Sequence, residues 1–136
     1  MYKNLTNLLF EHREKNITHI SYEQELKLFS TIRTGDDSQV PAIIQDFKNN
    51  NSSRLSKNPL RNIRYLFVVS IAQICRFAIE GGVNMERAFC ISDLFIQQMD
   101  ASATAEEIYT LYQEVLFCYI GEVKSAQKKE LHYSSK

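Results

Sequence analysis

The stretch "NPLRNIRYLFVVSIAQICRFAIEGGVN", Asn58 to Asn84, decides what kind of fold this chain adopts. Asn58 followed by Pro59 is a helix cap followed by a first-turn proline, whose missing N–H is not needed there. Beyond it Leu60, Ile63, Phe67, Ile71, Ile74 and Ala78 form one helical stripe, and Leu66, Val69 and Phe77 widen it almost all the way round. A helix of about twenty residues, roughly 30 Å long, is expected. One so widely apolar belongs in the middle of an array, covered by others. The run "YLFVVSI" alone would suit a buried strand, but charge and glutamine return at helical intervals and no turn signal intervenes before Gly81. Gly81 or Gly82 then takes the left-handed stop position, and Asn84 caps the next helix.

Working outward, "MERAFCISDLFIQQM" reads as a helix with Met85, Phe89, Ser92 or Leu94, and Ile96 inward. Thr104 and Glu107 form a capping box for "AEEIYTLYQEVLFCYIGEVKSAQKKE". Ile108, Leu111, Tyr112, Val115, Phe117 or Cys118, and Tyr119 mark its inner side, Gly121 weakens its middle, and residues 129–136 form a fraying tail. On the N-terminal side, the polar run "NNNSSRLSKN" (49–58) is expected to be an exposed, mobile connector. Three shorter helices precede it. "YKNLTNLLFEHREK" carries Leu5, Leu8, Leu9 and His12 at helical spacing; "YEQELKLFSTIRT", capped by Ser21, carries Tyr22, Leu26, Phe29 and Ile32 and stops at Gly35. "QVPAIIQDFKNN" is capped by Asp37 or Ser38, with Pro41 confined to its first turn. The expected fold is all-α: about six helices in one array over residues 1–136, a long central helix packed by a C-terminal helical pair.

Composition agrees with a globular protein. The chain has 136 residues, is 44% hydrophobic and 24% charged, and carries no formal net charge, so it is neither a disordered tail nor a polycation built to coat nucleic acid. The charge is unevenly spread. No acid stands between Asp46 and Glu80, where Lys48, Arg54, Lys57, Arg61, Arg64 and Arg76 fall, and Arg87 is the only base from Glu86 to Glu122. Helices of the two halves pairing their charges is the favoured explanation, ahead of a basic surface for nucleic acid. Cys75, Cys90 and Cys118 show no metal spacing and read as reduced core thiols of a cytoplasmic protein. The longest uncharged run, Tyr65 to Cys75, is too short to cross a bilayer, so no membrane contact is expected.

Chemical signatures are sparse. His12, His19 and His132 are scattered, and no glycine-rich phosphate loop follows a strand, so neither a metal nor a cofactor is expected. No nucleophile and base stand in a persuasive arrangement, and an enzyme is not expected. Arg76, Glu80 and Asp93, around Gly81 and Gly82, read as an ion-pair lock on a helical hairpin, so that Asp93→Ala would lower stability. Tyr109, Tyr112, Leu116 and Tyr119 form a tyrosine-rich stripe suited to contact between subunits. A small-molecule effector would find a pocket between the long helix and the last two, lined by Phe67, Ile71, Phe89 and Tyr112.

The pieces "NPLRN", "R..IEGG", "SD.FIQ" and "T.EE", with "I..GD" upstream, occur here in one order from His19 to Val123. In that order and spacing the chain resembles the helical region preceding the DNA-binding domain of AraC-type bacterial transcription regulators. The resemblance implies a regulatory and dimerising region: a homodimer, possible response to an effector, and DNA contact only through a separate helix-turn-helix domain absent from this chain. The sequence reaches "KKELHYSSK" where that domain would begin, which leaves open an excised region or a stand-alone protein that pairs with full-length relatives.

Overall fold

In a computed structural model, residues 1–16, 22–49 and 54–134 are described. They form six α-helices: α1 (Tyr2–Glu14), α2 (Tyr22–Thr34), α3 (Val40–Asn49), α4 (Pro59–Glu80), α5 (Met85–Asp100) and α6 (Ala105–Ser134). No strand occurs among the described residues, and the all-α array expected from the sequence is what forms. α4 packs against α2, α5 and α6; α2 also meets α6, and α3 lies on α6. The core runs between them through Ile32, Phe67, Ile71, Ile74, Ile108, Leu116 and Val123.

The helix ends follow local chemistry. Asn58 Oδ1 accepts from the Arg61 N–H at 2.9 Å, and Pro59 occupies the first turn of α4. Asn84 does the same for Arg87 at 3.0 Å. At α6, the Glu107 N–H donates to Thr104 Oγ1, while the Glu107 carboxylate accepts from the Ala103 N–H. A short 3₁₀ turn (Asp37–Gln39) leads into α3, and its cap is Asp36, one residue before the expected Asp37 or Ser38. Ser21, read as the cap of α2, lies outside the described residues.

Three expectations need correction. The connector is not free over its second half: Asn62, buried on α4, accepts from the Leu55 and Ser56 N–H groups at 2.6 and 2.9 Å. α6 does not fray at residue 129, since it continues to Ser134. The expected facing of α2 and α5 is met only in part: Ile32 and Ser92 are buried as read from the sequence, but their companions are not all inward. α2 buries Leu28, Thr31 and Ile32 and leaves Tyr22 and Leu26 exposed; α5 buries Ala88, Ser92 and Met99 and exposes Met85 and Leu94.

α4 is not wrapped all round either, because Tyr65, Val68 and Val69 face outward. Taken as a whole helix rather than an uncharged run, α4 is long and apolar enough to cross a membrane by length and composition. Here its inner side fills the core. α1 stands apart from the core and buries none of its residues.

Asn62 holds two backbone N–H groups that no other acceptor serves, so Asn62→Ala leaves donors half-buried without partners. A loss of about 1–3 kcal/mol in urea unfolding is expected. Asn58→Ala, which removes one exposed cap, should cost about 1 kcal/mol.

Candidate functional site

The corner after α4 is built by two hydrogen bonds: the Gly82 N–H to Ile79 O at 3.0 Å and the Val83 N–H to Ala78 O at 3.1 Å. This is the Schellman arrangement, with Gly82 at φ +107 and Val83 buried beneath it. α2 ends in the same way, through the Gly35 N–H to Ile32 O and the Asp36 N–H to Thr31 O, with Gly35 at φ +73. The two corners meet. A Cβ on Gly81 would stand 2.8 Å from Arg33 O of α2 and 3.0 Å from Val123 Cγ1 of α6. Around them α6 adds Gln127, whose amide donates to Arg33 O at 3.3 Å, and Lys124, paired with Asp37 at 3.0 Å.

The lock read from the sequence is therefore made of backbone and packing. Arg76 pairs with neither Glu80 nor Asp93: it donates to Ala72 O at 2.9 Å, and its guanidinium lies 5.7 Å from the centre of the Phe89 ring. The ion pair that ties α5 to α6 is Arg87 with Glu122, at 2.6 and 2.8 Å through two nitrogens. Nothing local announced it, since the partners are 35 residues apart. Two other cations of the acid-free stretch behave like Arg76. Lys48 lies over the Tyr109 ring, and Arg64 donates to Ser102 O at 2.7 Å. Pairing with carboxylates of the second half, expected from charge distribution, is not what these three side chains do.

The tyrosine stripe faces inward. Tyr112, Leu116 and Tyr119 are 2%, 0% and 0% exposed in the single chain, so they are core residues and not a subunit surface; Tyr109 is half-buried against Phe47. Tyr119 donates its hydroxyl to Ala88 O at 2.7 Å, joining α6 to α5. Burial, and next the neighbouring Cys75 thiol, push the Tyr119 phenol far above the ordinary tyrosine range. Burial does the same to Tyr112, against which Phe47 stacks at 4.0 Å. The expected effector pocket is filled for the same reason. Phe67 and Ile71 are fully buried, and the Phe67 and Tyr112 rings meet edge to face at 6.3 Å. Of the thiols, Cys75 is buried, Cys118 half-buried and Cys90 exposed, so Cys90 is not a core residue.

Open space lies elsewhere. A groove of about 420 Å³ runs between α2 and α4, lined by Tyr22, Glu25, Leu26, Phe29, Gln73, Arg76 and Phe77. Its floor is the Phe29 and Phe77 pair, edge to face at 4.9 Å. Here Arg76, singled out from the sequence, and the stripe Tyr22, Leu26 and Phe29 come together. A second, polar cavity of about 750 Å³ opens between α1 and the connector, where Leu8, His12 and Lys15 face Arg54, Leu55 and Lys57. Among the described residues, no group of three or more His, Cys, Asp or Glu side chains could hold a metal ion. His19 and the His132 side chain lie outside them. Compared with family models, curated proteins and solved structures, the chain matches none.

Two glycines should respond with opposite signs. Gly81→Ala has no room and should destabilise by about 1–3 kcal/mol, whereas a Cβ on Gly121 meets nothing within 4 Å, and Gly121→Ala should stabilise α6 by up to about 1 kcal/mol. Asp93→Ala, removing an exposed carboxylate with no ion pair to Arg76, should stay within about 0.5 kcal/mol of the parent. Thermal or urea unfolding of the three variants decides both.

A pH prediction follows from Glu122, whose carboxyl is held below its ordinary range first by the Arg87 hydrogen bonds. A depressed folded value makes this contribution present at neutral pH and lost as pH falls through that value. Glu122→Gln should therefore lower stability at pH 7 and make the acid arm of the stability curve shallower between about pH 5 and 3.

Proposed function

We propose that the chain is the helical regulatory and subunit-pairing region of an AraC-like transcription regulator, acting in the cytoplasm and reaching DNA through a separate helix-turn-helix domain. One observation carries the reading: the residues of the resemblance are those that shape the array. Asn58 and Asn62 of "NPLRN" cap α4 and hold the connector, Gly81 and Gly82 of "IEGG" make the corner, and Gly35 and Asp36 of "I..GD" end α2. Thr104 and Glu107 of "T.EE" open α6. A chain that shares these pieces in this order has the local instructions for the same array. Pairing matters to such a region because two weak DNA contacts joined in one particle gain effective concentration.

The exposed helix α1 favours a second reading, a stand-alone protein that pairs with full-length relatives and blocks their binding. The test is the gene's reading frame beyond Lys136, together with a band-shift assay on its full product. A downstream helix-turn-helix domain and binding to paired half-sites are expected; a frame without that domain sinks the first reading and leaves the second. The 136-residue chain by itself should give no salt-dependent shift of nonspecific DNA, because it carries no formal net charge and three of the six cations of the acid-free stretch, Lys48, Arg64 and Arg76, are engaged with protein groups.

A further inference from the structure

Among the apolar surfaces left uncovered in the described residues, two are complementary in shape. One is convex: α1 presents Leu5, Leu8 and Leu9, all about half-exposed, on one side of a helix that buries nothing, with Leu8 also at the rim of the cavity shared with the connector. The other is concave: the α2/α4 groove, where Tyr22 remains 72% and Leu26 46% exposed above the Phe29 and Phe77 floor. Apolar surface of this extent on a helix and beside a groove marks an interaction face.

We propose that α1 of one copy docks into the α2/α4 groove of a second copy, and reciprocally, to form a two-fold dimer. The inference rests on the subunit-pairing part of the reading above. Three features select this occupant. The lengths agree, since α1 and α2 have 13 residues each, roughly 20 Å, so the helix spans the groove wall. The shapes agree, because an amphipathic helix in an apolar groove uses anchors at i, i+3 and i+4, the spacing of Leu5, Leu8 and Leu9.

The charges agree as well. The groove carries Glu25 on its α2 side and Arg76 on its α4 side, and among the described residues neither takes part in an ion pair, Arg76 resting on Ala72 O and the Phe89 ring. By helical geometry Arg13 flanks the leucine stripe on the Leu9 side and Glu11 on the Leu8 side. Docking with Arg13 toward α2 and Glu11 toward α4 meets each charge with its opposite. Glu11 leaves only an exposed bond to Lys15, worth little in water. Each copy has one helix to give and one groove to fill, so a two-fold axis satisfies both and closes the assembly.

Sedimentation equilibrium of the whole 136-residue chain tests this. The parent should sediment at twice its 15.8 kDa mass. Leu5→Glu with Leu9→Glu should weaken pairing by at least about a hundredfold with an unchanged helical circular dichroism signal, since α1 supports no core. Leu26→Glu, on the groove, should do the same. Mixing the two variants should restore a weaker dimer, as one intact helix meets one intact groove. A parent that stays monomeric overturns both this inference and subunit pairing. A dimer that survives both sets of substitutions overturns this interface alone and leaves pairing standing.

Discussion

Gly81 is where three helices meet without space for a single methyl group. The backbone of α4 comes against Arg33 O at the end of α2 and against Val123 of α6, at separations no Cβ can share. Both α2 and α4 reach this point through left-handed glycines, Gly35 and Gly82, so each helix stops where the other begins to crowd it. The same part of α6 then covers both corners with Val123, Lys124 and Gln127. Because protein interiors are packed as densely as organic crystals, such a contact fixes the separation and tilt of its helices. The groove between α2 and α4 inherits its width from it.

Much of this was legible in the sequence wherever the signal is local. Caps at Asn58, Asn84 and Thr104, the proline in the first turn of α4 and the glycine stops each rest on bonds spanning a few residues, and all form. Helix facing was less legible. α2 carries two apolar arcs, Tyr22, Leu26 and Phe29 against Leu28, Thr31 and Ile32, and periodicity cannot rank them because both repeat at the same interval. The arc with smaller side chains is buried, since α2 approaches both α4 and α6, and the aromatic arc is left to line the groove. Contacts between distant residues left no trace. Gln127 and Arg33 are 94 positions apart, and only the folded chain shows that one serves the other.

The polar side chains tell a related story. A tyrosine-rich helix looks like a surface because each hydroxyl needs a partner, yet Tyr119 finds one inside the protein at Ala88 O. A carbonyl whose helical partner is already in place can accept a second bond, which makes a buried phenol affordable in a core. Three cations of α3 and α4 are likewise placed on ring faces and carbonyls rather than on carboxylates. Arg76 over Phe89, Lys48 over Tyr109 and Arg64 at Ser102 O keep charge at the margins of the core without demanding acids nearby. The acid-free stretch from 47 to 79 is thereby compatible with a folded monomer.

A pairing element outside the core, as proposed for α1, leaves the rest of the fold intact whether or not it is docked. α1 contributes no buried residue to its own fold, so the apolar surface it would bury on docking is still available to drive association. The groove that would receive it is bounded by α2 and α4, and these cannot come closer at their C-terminal ends, because a Cβ on Gly81 would already stand 2.8 Å from Arg33 O. Occupancy that draws α2 toward α4 at the Tyr22 end must therefore be accommodated as a tilt about the Gly81 contact. Lys124 and Gln127, bonded to Asp37 and Arg33, join the same end of α2 to α6, which runs on to Ser134. The end of α2, the corner of α4 and the last helix thus share one crowded contact, and none of the three can approach the others further at Gly81.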